Sequence, residues 1–264
     1  MRRCDCRRRH GLEVEWLAPA DIEAAYGFSA PAAILSAKAA QVDPYRFAHR
    51  LLADIVRRGA VVHDHETVVG IEASRRRVTL QLASGATVRA GQVVLACGYE
   101  SQAWLRQRVA RNRSSYAFVS APLPAARLQA LSRTLVWETA RPYLYLRTTP
   151  DHRLMVGGAD DAVDIPKRRD ARVAGKARKL ARKAAALFPD LPLQPEFAWA
   201  GTFAETPDGL PRFGAHPQWG PRVLFAMAYG GNGITYSAIG AGLLRATIEK
   251  RPHPLRRLFS FERG

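Results

Sequence analysis

The sequence has little cysteine, no long apolar run and a shortage of acid. Its three cysteines, Cys4, Cys6 and Cys97, are odd in number. Cys4 and Cys6 stand too close for an easy bridge, and no zinc-type ligand spacing accompanies them. A disulfide framework and a structural metal are therefore excluded as expectations, and the cysteine usage fits a reducing, cytoplasmic setting. No uncharged run approaches the ~20 residues a membrane helix needs. The charged stretch from Met1 to His10 has no apolar core behind it, so it does not read as a signal peptide. Acidic residues number 23 against 40 lysines and arginines, a formal net charge of +17. Such an excess suits anionic partners. The arginines are spread along the chain, however, and no nucleic-acid recognition motif accompanies them, so nucleic acid is not an expected partner.

What is present is a globular composition, 47% hydrophobic over 264 residues, enough for one large domain or two modest ones. The chain is organised around a stretch near its end. Val223–Tyr229 reads as a buried strand, Gly230-Gly231-Asn232-Gly233 as a turn, and the apolar run to Ile248 as a helix. A helix opening directly from a strand aims unpaired backbone N–H groups and the positive end of its dipole at one spot. Upstream, Asp43-Pro44 is a capped helix start and Gly59 a stop, with Phe47, Leu51, Leu52, Ile55 and Val56 at helical spacing. Ala60–His63, Thr67–Ile71, Val78–Leu82, Thr87–Arg89 and Gln92–Ala96 then read as strands, with Ser84-Gly85 a hairpin turn. The last of these is fully apolar and runs into Cys97 and Gly98, the small-residue ending by which an open α/β sheet leaves room for a ligand.

Residues 116–160 read as an antiparallel platform. Tyr143, Tyr145 and Arg147 alternate with Leu144 and Leu146, which places the tyrosines on one face. They wall a small-molecule pocket or are ordinary half-exposed aromatics. Residues 167–188 form an amphipathic helix whose cations, from Lys167 to Lys183, read as a solvated face.

These pieces, in this order, resemble the FAD-dependent D-amino-acid oxidase / glycine oxidase / sarcosine oxidase superfamily. The resemblance rests on Asp43-Pro44 and its helix, Gly59-Ala60, the run Thr67–Ile71, and Val93–Gly98. It rests also on Thr206-Pro-Asp-Gly-Leu-Pro211 and the turn from Tyr229 to Ser237. It implies hydride removal from the carbon beside an amine nitrogen of an amine or amino acid, passed to a non-covalent FAD. It also implies cofactor contacts at Val68, Ala96, Cys97, Gly98, Tyr229, Gly230, Gly231, Asn232, Gly233, Ile234 and Thr235. Tyr143, Tyr145, Arg147 and Phe203 are the expected substrate-pocket residues. No catalytic acid–base group and no metal ligand is singled out, since this chemistry asks mainly for orientation and a dry pocket.

Two departures from the family pattern stand out. The family opens with a Gly-x-Gly-x-x-Gly βαβ unit that holds the ADP half of FAD, and that unit is absent from this sequence. A truncated copy is expected, or one chain of a split flavoenzyme whose partner supplies the unit; a catalytically inactive basic remnant that binds acidic partners is the alternative. In either case the helices after Asp43 and Gly233 should show apolar faces to water. Second, the arginine that many relatives use to clamp a substrate carboxylate is replaced by Phe203, which leaves Arg147 or Arg141 to substitute, or an amine without that carboxylate. The expected fold is mixed α/β, an incomplete FAD-binding layer with a mixed sheet plus an antiparallel-sheet substrate domain. Residues 42–110 and 205–250 form the FAD layer and residues 12–41 and 111–204 the substrate domain. Residues 1–11 are expected to be disordered and residues 251–264 to form a loose tail.

Overall fold

The computed structural model describes residues 2–263; Met1 and Gly264, outermost in the two stretches expected to be unstructured, lie outside the described residues. In chain order the first elements are α1 (Arg2–Arg9), β1 (Val14–Leu17), α2 (Pro19–Tyr26), β2 (Ala33–Ser36) and α3 (Pro44–Arg57). Then come β3 (Val68–Ala73), β4 (Val78–Leu82), β5 (Thr87–Ala90), β6 (Val93–Leu95), β7 (Arg111–Ser120), α4 (Ala125–Leu128) and β8 (Val136–Trp137). The remainder are β9 (Leu144–Thr148), β10 (Leu154–Asp161), α5 (Pro166–Asp170), α6 (Val173–Leu187) and β11 (Pro195–Glu205). β12 (Arg212–Ala215), β13 (Val223–Met227), α7 (Gly233–Ile248) and α8 (Arg256–Phe259) complete the chain. It divides into two compact units, one of the residues up to Val42 with Ser114–Gly201, the other of Asp43–Arg113 with the residues from Thr202 on.

The first unit is built on a sheet in the order β11-β7-β10-β9-β8. Strand alternation along β9 buries Leu144, Leu146 and Thr148 and turns Tyr143, Tyr145 and Arg147 to the opposite face. The buried side meets the apolar stripe of α6, where Ala177, Leu180 and Ala184 pack with Tyr116, Phe118, Leu154 and Val156. The cations of α6 are not all solvated. Asp161 draws Lys176 Nζ and Arg172 Nη1 to its Oδ2, both at 2.9 Å, and Glu138 takes Lys183 at 3.3 Å. The basic start is also more ordered than expected. Arg2–Arg9 is helical because it buries Cys4, sets Asp5 in its first turn and Arg7–Arg9 in its last, and Arg8 Nε donates to Val14 O at 3.0 Å.

The second unit carries the meander β3-β4-β5 and a mixed sheet, β12-β13-β6, in which β13 runs parallel to β6 and antiparallel to β12. β13 is buried along its whole length. One of its faces packs with Leu95, Leu105 and Ala204; the other, through Leu224 and Ala226, meets Phe213, Leu243, Leu244 and Phe259. α7 lies close enough to β12 that a Cβ on Gly240 would sit 2.3 Å from the Phe213 ring.

Two expectations for this unit need correction. Ala60–His63 is not a strand and belongs to no sheet among the described residues. The tail is anchored rather than loose. Phe259 is buried, Phe261 stacks edge-on against His216 and Phe225, and Arg263 binds the Thr206–Pro211 turn.

α3 forms as read, with Pro44 at its first position and Asp43 Oδ1 accepting from Arg46 N at 3.1 Å. None of its residues is buried, and Phe47, Leu51, Leu52, Ile55 and Val56 face solvent.

Candidate functional site

Because β6 and β13 are parallel neighbours, with Leu95 beside Phe225, their carboxyl ends emerge side by side. Each ends in a left-handed backbone residue: Gly98 (φ 57°) after β6, Ala228 (φ 64°) and Gly230 (φ 56°) after β13. Ala228 adopts a conformation uncommon for a residue with a Cβ, so the chain holds this corner against local preference. Gly230 N donates to Ala204 O at 2.9 Å, which ties the corner to the end of β11.

Directly beyond it α7 begins. Asn232 provides no side-chain cap, so the first backbone N–H groups of the helix are left for an external acceptor. Gly231, Asn232, Ile234 and Thr235 are exposed, Gly233 and Tyr229 half-buried. The Tyr229 ring packs on Phe213, and burial raises its phenol pKa against an opposing hydrogen bond with Ser237. The turn is open, not filled by side chains.

At the neighbouring strand end, Ala96 and Cys97 are exposed and Gly98 opens a short 3₁₀ helix to Trp104. Packing around the Cys97 sulfur and the Glu100 carboxylate push its thiol up, against a smaller opposing hydrogen bond from Ser101. That direction disfavours the thiolate, the nucleophilic form of a cysteine.

At the following turn, Thr206 Oγ1 stands 2.7 Å from both Leu210 O and Asp208 Oδ1, which share its single proton. Arg263 closes the turn, with Nε 2.7 Å from Asp208 Oδ2 and Nη2 3.0 Å from Oδ1. This guanidinium above all holds the Asp208 carboxyl far below the ordinary aspartate range.

The structure thus brings Ala96, Cys97 and Gly98 together with Tyr229–Thr235. Val68 lies elsewhere, half-buried at the start of β3 and opposite Leu82 on a different sheet. Phe203, half-buried on β11, belongs to the same unit as the glycine turn. Tyr143, Tyr145 and Arg147 belong to the other unit. There the two tyrosine rings lie 6.3 Å apart, Tyr145 Oη is 3.3 Å from Ser115 Oγ, and Arg147 Nη1 reaches Gln41 Oε1 at 3.5 Å. The guanidinium of Arg141 stacks over Tyr143 at 5.7 Å.

Sequence reasoning missed Glu205, whose Cβ comes within 3.9 Å of where a Cβ on Gly230 would stand, and its partner Arg113 at 3.3 Å. A pair 92 residues apart leaves no local signal. An open cleft of about 310 Å³ lined by Leu128, Gln129, Ser132, Thr148 and His152 contains none of the expected residues. Among the described residues no cluster of His, Cys, Asp or Glu is arranged to hold a metal, and no helix is long and apolar enough to cross a membrane.

Similar proteins agree with this architecture. A glycine oxidase of Geobacillus kaustophilus (strain HTA426) is 34% identical over 206 residues, 73% of this chain and 49% of the relative. A glycine oxidase of Bacillus licheniformis is 30% identical over 183 residues, 67% of this chain and 46% of the relative. The chain thus spans about half the length of the curated relatives it matches. The crystal structure of the Geobacillus kaustophilus glycine oxidase superposes with a TM-score of 0.84 at 23% identity, covering 100% of this chain and 70% of that one. That of L-proline dehydrogenase from P. horikoshii gives 0.79 at 15% identity, covering 98% and 71%. Both share the mixed α/β fold. With residues 1–247 matching the family described as FAD dependent oxidoreductase, the chain belongs to that family.

Proposed function

We propose that this chain forms the flavin-ring and substrate side of an FAD-dependent oxidoreductase that oxidises a C–N bond of an amine or amino acid. One observation carries the reading. Two parallel strands end side by side in left-handed corners, in front of an uncapped helix N-terminus that no side chain fills. FAD, when bound, supplies the hydride acceptor.

The residues of this chain fit the ring end of that group. Backbone N–H groups at Gly233–Thr235 and the dipole of α7 favour negative charge at the corner, and the missing Cβ at Gly230 lets a flat edge approach the main chain. Ala96 and Gly98 line the neighbouring strand end. For the ADP half, Val68 is the adenine-side contact in this reading, and the described residues form no Gly-x-Gly-x-x-Gly βαβ unit beside it. The relatives named glycine oxidase point to small amino compounds, and Phe203 in place of a carboxylate clamp favours an amine whose recognition does not depend on a nearby carboxylate. Four cations of the α5–α6 region are engaged in ion pairs, which weighs against a remnant whose function is polyanion binding.

Lumiflavin, the ring without the ADP half, tests the site directly. Its fluorescence is expected to be quenched on titration with the purified chain, with affinity at least tenfold lower for Gly230→Val. Absence of quenching at millimolar lumiflavin, or equal quenching by the variant, overturns the reading.

A further inference from the structure

β10 does not run straight to its end. Its pairing with β7 shifts register between Gly158 and Asp161, and the backbone takes positive φ at Gly158 (133°) and Ala159 (53°). A bulge of this kind re-aims the side chains that follow it. Ala159 goes into the core with Leu144 and Val156, and Asp161, which draws Lys176 and Arg172, meets α6 on that same side. Asp160, between them, is turned to the face of Tyr143 and Tyr145. Packing raises the Tyr145 phenol most, against its hydrogen bond with Ser115, and the charge of Asp160 adds to the rise.

Oδ1 of Asp160 is shut off from solvent, and no hydrogen-bond donor reaches it among the described residues. A buried carboxylate oxygen without a donor is costly, and folded proteins keep few of them. It stands out in a chain of 40 lysines and arginines against 23 acids. The two arginines of this face are engaged elsewhere, Arg147 with Gln41 and Arg141 over the Tyr143 ring. Beside Asp160 lie two hydroxyl oxygens, Tyr145 Oη and Ser115 Oγ, 3.3 Å apart. The Tyr145 ring rests over Gly157, where a Cβ would come within 2.2 Å of it, yet the residue stays 36% exposed and reachable.

We propose that Asp160, with the hydroxyls of Tyr145 and Ser115, forms a subsite for an alkylammonium group, so that the amine oxidised is a diamine held by its second, protonated nitrogen. An ammonium brings three N–H donors and one positive charge, which match a carboxylate and two hydroxyl oxygens. Tyrosine rings on the same face favour a cation further. The reacting nitrogen is a different case. Loss of hydride from its carbon to FAD turns a neutral amine into an iminium, so that nitrogen must shed its proton first. A carboxylate beside it would hold the proton on. Asp160 therefore suits the nitrogen that does not react, and a substrate held this way needs no carboxylate clamp at Phe203. The role of the diamine as substrate rests on the flavoenzyme reading; the ammonium subsite does not.

n-Butylammonium alone probes the subsite. Calorimetric titration of the purified chain at low salt is expected to show binding that weakens at least tenfold in Asp160→Asn and several-fold in Ser115→Ala, with no binding of 1-butanol. Asparagine keeps the shape and removes the charge, so the melting temperature of Asp160→Asn should equal or exceed that of the parent. In flavin-loaded protein, 1,4-diaminobutane should exceed n-butylamine in kcat/KM by tenfold or more, chiefly through KM, and Asp160→Asn should erase the difference.

No binding of butylammonium at tens of millimolar, equal binding by Asp160→Asn, or displacement by an equal concentration of sodium ion would each overturn the subsite. Binding without a diamine preference overturns its assignment to the substrate. Butylammonium binding in a chain that does not quench lumiflavin leaves the subsite standing and removes the flavoenzyme reading.

Discussion

At the residue scale, three positions carry distinct consequences. Gly240 is a packing necessity: Gly240→Ala drives a methyl into the buried Phe213 ring, and overpacking of this kind costs about 1–3 kcal/mol. A lower urea midpoint with an unchanged m-value checks it. Asp208 carries a pH dependence. Its carboxyl is held below the ordinary value of about 3.9 chiefly by Arg263, so its stabilising contribution is complete above that value and lost as pH falls through the depressed one. Arg263→Ala should remove that contribution, so that the variant and the parent converge in stability at strongly acidic pH; a constant gap across an acid titration of unfolding would contradict it. Phe203 offers a test of the proposed substrate side. In flavin-loaded protein, Phe203→Arg is expected to raise kcat/KM for glycine about tenfold or more, the scale of a charge-assisted hydrogen bond. No gain for glycine over an uncharged-tailed amine would place Phe203 away from the substrate.

At the element scale, α3 lets the contribution of a cap be read without interference. Asp43→Ala removes the bond to Arg46 N, a change worth about 0.5–2 kcal/mol of helix stability. Since α3 buries nothing, the loss should appear as reduced helical circular dichroism with little change in the cooperative melt. Elements with a strong local signal were legible in the sequence. Asp43-Pro44 marks the start of α3, Gly59 its end, and the alternation of Leu144 and Leu146 with the tyrosines orders β9. The glycine turn and the end of β6 were legible too, because each is a buried apolar run followed by small residues. What failed depended on neighbours. The valines of Ala60–His63 have the propensity of a strand, but a strand exists only beside another, and the sequence of one segment does not report whether its partner is present. The tail reads as loose by composition, and only the fold shows that Asp208 waits for Arg263. The Glu205–Arg113 pair beside the turn was hidden for the same reason.

For the whole molecule, the consequence is a division of labour. The glycine turn and its strand ends lie in one unit, the tyrosine-bearing sheet in the other, and the chain passes between the units at Val42–Asp43, within β7 and within β11. The chain spans about half of its curated relatives, so retention of FAD by the purified chain alone should be weak. Substoichiometric flavin absorbance after gel filtration is the expected outcome; a full flavin complement would contradict it.

The unpaired margin of β6 and the bare valines after Gly59 carry a further cost. An exposed strand edge beside apolar side chains is a template for indiscriminate strand addition, and nothing in this region blunts it with a bulge or a proline. Made by itself at high concentration, the polypeptide should collect in insoluble deposits rich in intermolecular β-structure.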